Sequence, residues 1–156
     1  MATPTSATVR SHFDEPDLAT EANYFSERMG WPVSIDVTNQ RLVVRTGDVL
    51  DAFRVQRALA EPVALELSAS LMAGPVIRDN DDRWWTFITD PCQRANVELA
   101  HELRAAHVHA VPPGGEVVIP PVTAPTSWWQ QPQPGRPLPP WSAVVGVARR
   151  VINRGR

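Results

Sequence analysis

The stretch VLDAFRVQRALAEPVALELSASLMAGPVIRDNDDRWWTFIT, residues 49–89, decides the fold. VLDAFRV (49–55) reads as a strand that runs on into helix-compatible sequence. A 3.6 period also passes through DVLDAFRVQRALA (48–60), so a helix over that segment is the alternative. PVALELSASLMAG (62–74) is the helix candidate proper, with Pro62 near its start and Gly74 at its end. PVI (75–77) and RWWTFIT (83–89) then make the arms of a hairpin around the polar turn RDNDD (78–82). A strand, a helix and a hairpin in that order set a helix against an antiparallel sheet.

The same grammar extends in both directions. Upstream, PDLATEANYFSERMG (16–30) reads as a helix with Leu18, Ala22, Phe25 and Met29 on one face and Gly30 as its stop. VSIDV (33–37) and RLVVRT (41–46) are strand-like, and Thr46-Gly47-Asp48 reads as a tight turn that would fold 49–55 back as a hairpin arm. Downstream, QRANVELAHELRAA (93–106) is an amphipathic helix with Ala95, Leu99, Leu103 and Ala106 inward. VHAVPPGGEVVIPP (108–121) gives a third hairpin signal. The expected fold is α+β, a mainly antiparallel sheet with helices packed on it.

The organisation follows from composition along the chain. Residues 1–16 are expected to be a flexible arm and 17–122 a single domain. Residues 123–141 form a Pro/Trp-rich extended segment, since ten of the sixteen prolines fall between Pro112 and Pro140. Residues 142–156 form a basic C-terminal helix with Ser142 as its N-cap candidate. At 156 residues, 43% apolar and 21% charged, the chain is long enough for one ordinary core. The single cysteine, Cys92, excludes an intramolecular disulfide scaffold. No apolar run is long enough to span a bilayer, and the opening MATPTSATVRSHFDEPD lacks a secretory apolar segment, so a cytoplasmic location without membrane contact is expected.

Charge divides the molecule. All fifteen positive side chains are arginine, which removes lysine chemistry. No acid follows Glu116, so Arg136, Arg149, Arg150, Arg154 and Arg156 stand unopposed in the tail. Either the tail neutralises the acidic stretch Asp14, Glu15, Asp17, Glu21 and Glu27, or it meets phosphates. The net charge of −2 argues against general phosphate-backbone binding.

Most motifs for chemistry are missing. His101-Glu102 opens an HExxH pattern that Ala105 breaks. His107 and His109 lie on one face of a possible strand, where two imidazoles need a third ligand to hold a metal; an ordinary polar strand entry is the reading preferred for them. Cys92 starts a helix without a nucleophile motif around it, and no GxSxG, GxGxxG or GxxxxGK[ST] is present. Asp48 and Asp51 would point to opposite faces of a strand, and Asp79, Asp81 and Asp82 read as turn chemistry.

YFSERMGWPV (24–33), TGDVLDAFRV (46–55), AGPVIRDNDDRWWTFIT (73–89) and VHAVPPGGEVVIPP (108–121) together resemble the bifunctional DNA primase/polymerase N-terminal domains, most closely the short actinobacterial ones. The resemblance covers about residues 20–145 and implies a primase–polymerase fold on a recognition-motif-like sheet. It also implies two Mg2+ or Mn2+ ions on paired carboxylates, and a histidine for the incoming nucleotide. This sequence departs from that pattern at the decisive positions. Asp51 matches the first acid, but its partner position falls on Phe53 or Arg54, and the histidine position on Trp84 or Trp85. No cofactor is therefore expected unless the site works with those ions.

Two functions follow as expectations. The first is a non-catalytic primase/polymerase-like domain that serves an unidentified protein partner or a regulatory role. The second is a nucleotide- or single-stranded nucleic-acid-binding protein, with residual polymerase activity as an open option. It would use Asp51, Arg54, Arg83, Trp84 and Trp85 together with Arg149, Arg150 and Arg154.

Overall fold

β1 (Val33–Asp36) and β2 (Arg41–Arg45) pair antiparallel, and β7 (Glu116–Ile119) pairs along the other edge of β2. Their alternation turns Leu42, Val44, Val117 and Ile119 inward. A second sheet holds β3 (Asp51–Gln56), β4 (Val76–Arg78), β5 (Trp84–Thr89), β6 (Val108–Ala110) and β8 (Trp128–Gln130), in the order β6-β3-β5-β4-β8. All its neighbours pair antiparallel. The computed structural model describes residues 17–92 and 99–156, and every structural statement below concerns these. The expected arm 1–16 and the start of the expected helix 93–106 lie outside them.

Three helices line one face of the larger sheet: α2 (Arg57–Ala69), α3 (His101–Ala105) and α4 (Trp141–Arg154). Phe53, Val55, Val76, Trp85, Phe87 and Val108 of the sheet meet Ala60, Val63, Leu67, Leu103, Val144 and Val147 of the helices. Each such large side chain contributes about 1.5–3 kcal/mol by leaving water. The opposite face is covered over half its length by the three-stranded sheet and by α1 (Leu18–Tyr24). There Ala52, Ile77 and Ile88 pack against Phe25, Trp31 and Leu42. The α+β class with antiparallel sheets and packed helices stands as expected.

From β3 to β6 the elements run βαββαβ and the strands lie in the order β6-β3-β5-β4, the split βαβ arrangement. That topology places β3 and β5 at the centre, and many unrelated functions use it.

Two expected hairpins are corrected. The hairpin at 78–82 forms, joining β4 to β5. The turn at 46–48 does not return β3 onto β2, and PPGG (112–115) does not return β7 onto β6. β2 and β7 pair in the small sheet, whereas β3 and β6 pair in the large one. The two chain segments thus pass between sheets side by side, as strands do at the corner of packed sheets. The corner is zipped by the Thr46 N–H donating to Gly115 O (3.0 Å), the Gly114 N–H to Thr46 O (2.8 Å) and the Thr46 hydroxyl to Pro112 O (2.8 Å). Glycine is needed here on steric grounds. A Cβ on Gly115 would lie 2.8 Å from Pro112 O, and Gly47 sits at φ +113° against Gly114 and Pro113.

Helix limits are corrected too. α2 starts at Arg57, directly after β3, so strand into helix holds while Pro62 lies inside the helix with its ring exposed. The helix closes before Gly74, in a Schellman motif. Met72 N–H donates to Leu67 O (2.9 Å), Leu71 N–H donates to Ser68 O (3.2 Å), and Leu71 takes the left-handed position. α1 is capped by Asp17 and runs into a π-helical turn, Phe25–Met29, that Gly30 ends. The Thr20 hydroxyl and the Ala19 N–H hold the Asp17 carboxyl below the usual carboxylate range. α4 begins at Trp141 with Pro140 at its cap, so Ser142 is not the N-cap.

The Pro/Trp-rich segment is extended but tied down. It contributes β8 and buries Trp128 in the inter-sheet core. The buried Glu21 of α1 accepts from the Val122 N–H (3.0 Å) and the Thr123 hydroxyl (3.1 Å).

Candidate functional site

The half of the large sheet's open face that the small sheet leaves bare is where the chemistry collects. Arg54 stands opposite Thr86 on β5 and opposite His109 on β6, and Gln56 stands opposite Trp84. Directly opposed residues share a face, so Arg54, Gln56, Trp84, Thr86 and His109 all point away from the helices. The Arg54 guanidinium lies over the Trp84 ring, 5.3 Å from its centroid. The rings of His109 and His107 lie 5.6 and 6.4 Å from Trp84 and 6.4 Å from each other. Arg54, His107 and His109 are exposed and make no ion pair among the described residues. An indole edged by a guanidinium and two imidazoles can stack a planar ring and donate hydrogen bonds to an anion beside it.

His107 reaches the cluster through an unusual backbone. It sits between α3 and β6 at φ +62°, with its carbonyl accepting from the Gln56 N–H (3.4 Å). A left-handed histidine is uncommon.

The other expected site residues are distributed elsewhere. Trp85 faces the helices, is 2% exposed, packs against Trp129 and donates its indole N–H to Asp82 (2.7 Å). It is core, and it has no face to offer a base. Asp82 also pairs with Arg57 (2.9 Å), and Arg83 pairs with Asp81 (3.5 Å) beside the turn. Asp51 shares the helix-side face with Phe53, not the face of Arg54, and is 6% exposed. One of its oxygens accepts from the Cys92 N–H (2.6 Å), and the other is buried without a partner.

The ion pair implied by the resemblance does not fit this arrangement. Asp51 has Phe53 as its same-face neighbour and Thr89 opposite, so one carboxylate stands where two would bridge the ions. Among the described residues no three His, Cys, Asp or Glu side chains gather.

The tail arginines lie across the sheet from Arg54, on α4. Arg149 pairs with Glu102 (2.8 Å), while Arg150 (3.6 Å) and Arg154 (3.0 Å) both reach Glu66. These acids belong to α3 and α2, not to the acidic N-terminal stretch that is one of the two alternatives for the tail. The reason is packing: α4 lies against α2 and α3, whereas α1 covers the opposite side.

A cleft of about 240 Å³ opens at the far end of the strands, between Trp31, Asp90, Gln131 and Arg136. It shares no residue with the Trp84 cluster. No helix of the described residues is long and apolar enough to cross a membrane.

Sequence reasoning placed Arg54 and Trp84 at a site and missed their histidine neighbours. The signal was present in the i, i+2 spacing of His107 and His109. What it lacked was the β3–β6 register that sets His109 against Arg54. Compared with known proteins, the chain matches no protein family, no curated protein and no solved structure.

Proposed function

We propose that this chain is a non-catalytic, primase/polymerase-like domain that works by binding a nucleotide or single-stranded nucleic acid on the Arg54–Trp84 face. One observation carries the reading: a tryptophan with a guanidinium over its ring stands on the face of the two central strands that is turned away from α2, α3 and α4 in a βαββαβ sheet. RNA-recognition-motif sheets, which have this strand order, bind single strands by stacking bases on aromatic side chains of their central strands. A base stacked on Trp84 replaces the Arg54 contact and frees the guanidinium for a phosphate. The negative net charge restricts binding to this local patch. Residual polymerase activity finds no support in a lone Asp51 with one oxygen engaged.

The test is fluorescence anisotropy with a labelled single-stranded oligodeoxynucleotide of mixed sequence, at low and moderate salt, with and without Mn2+. Salt-sensitive binding that is independent of Mn2+ is expected. Trp84→Ala should weaken it about tenfold, the scale of one stacked base. Absence of binding under every condition would overturn the reading and leave a protein partner as the role.

A further inference from the structure

We infer that His107 and His109 form a phosphate subsite beside the Trp84 stacking platform, so that the ligand unit held best is a nucleotide with its own phosphate rather than a bare base. The inference rests on the stacking reading and adds the chemistry of the second contact. A base on Trp84 leaves its phosphate one sugar away, and the two imidazoles stand 5.6 and 6.4 Å from the indole. Each imidazole offers at least one N–H to an anion beside the ring, so two donors converge in a subsite where that phosphate would lie.

The surrounding charges do not cancel it. The groups on the packed elements are Arg54 on β3, His101, Arg104 and the Arg149-paired Glu102 on α3, and Arg57 and Arg83 near the strand ends. The last two are paired with Asp82 and Asp81, while Asp79 accepts from the backbone N–H groups of Arg83 and Trp84. The acids of this corner are thus engaged with neighbours, and no carboxylate pairs with either histidine among the described residues. The backbone points the same way. His107 holds a left-handed conformation that costs a β-carbon residue about 1–2 kcal/mol, and that conformation stands where its ring approaches Trp84.

The experiment compares adenosine with adenosine 5′-monophosphate by tryptophan fluorescence at neutral pH. Trp84→Phe defines the share of the signal due to Trp84. The expected result is a preference for the monophosphate of about tenfold. The double variant His107→Asn/His109→Gln should cut that preference by about threefold or more and keep adenosine binding, the remainder belonging to the Arg54 guanidinium. Asparagine is chosen at 107 because it tolerates φ > 0, and an unchanged thermal midpoint verifies the fold.

Inorganic phosphate should compete with the monophosphate and leave adenosine untouched. Equal binding of the two ligands, or a preference undiminished in the double variant, would overturn the subsite while sparing the stacking platform. Binding of neither ligand would sink the stacking reading itself, and the subsite with it.

Discussion

Trp84 and Trp85 are neighbours on one strand and lead opposite lives. Trp85 points to the helices, meets Trp129 and has its indole N–H satisfied by Asp82. Trp84 points the other way, only partly buried, with Arg54, His107 and His109 around it. The two faces of β3 and β5 repeat the contrast: Phe53, Val55 and Phe87 on one side, Arg54, Gln56 and Thr86 on the other. One face is built for packing density, where every side chain is held by several others. The other keeps a large aromatic ring and three nitrogen-bearing side chains at a surface where packing does not require them. That is the physical content of calling it a site.

The largest effect that could break this contrast is on stability. Trp85→Ala should cost about 3–5 kcal/mol, because it removes a large buried ring and leaves a cavity against α2 and α4. Trp84→Ala should cost less, about 1–2 kcal/mol, because its ring is only partly covered. Urea midpoints of the two variants decide it. Equal losses would mean that the Trp84 ring is also part of the core and that the open face is not distinct.

The next effect sharpens the border between the faces. Asp82 accepts the Trp85 indole N–H at 2.7 Å and pairs with Arg57 at 2.9 Å. Asp82→Ala strands a buried donor, and a loss of about 1–3 kcal/mol is expected. Single-strand binding should survive, since Asp82 serves the covered side. If binding falls as far as it does in Trp84→Ala, then the turn and not the indole organises the open face.

How far the sequence disclosed this contrast depends on which residues one considers. The alternation in RWWTFIT already sends Trp84 and Trp85 to opposite sides, and the hairpin across RDNDD is visible in its turn residues. The turns at 46–48 and 112–115 have the same local chemistry and do something else. A tight turn shows where a strand ends, and it is silent on whether the next strand returns or continues into another sheet. Only long-range pairing, Arg45 with Glu116 and Val55 with Val108, separates those outcomes. The same dependence hid the histidines. Arg54 and Trp84 share a face through the β3–β5 register, and His109 joins them through β6, 55 residues after Arg54 and 25 after Trp84. Likewise, the tail arginines could be counted from sequence, but their partners Glu66 and Glu102 follow from how α4 packs.

Those arginines give a smaller and more selective test. They lie on the helix layer, each in an exposed ion pair worth about 0–1 kcal/mol. The triple variant Arg149→Gln/Arg150→Gln/Arg154→Gln should change affinity for the single strand by less than about threefold and leave its salt dependence intact. A flattened salt dependence would show that α4 contacts phosphates, and the ligand would then have to wrap around the domain rather than rest on one face.

The smallest effect probes whether the two faces are coupled. Leu71 caps α2 at φ +58° and is 89% exposed, so its side chain gains almost nothing from packing while its backbone carries left-handed strain. Leu71→Gly relieves a strain of about 1–2 kcal/mol and gives back about 0.5–1 kcal/mol through the greater freedom of the unfolded chain. The net expectation is a gain of up to about 1 kcal/mol in the urea midpoint. Because α2 covers the packed side alone, single-strand affinity should stay where it was. If a tighter α2 altered binding on the Trp84 face, the sheet would be transmitting helix packing from one side to the other, and the division between a structural face and a binding face would give way to a single responsive unit.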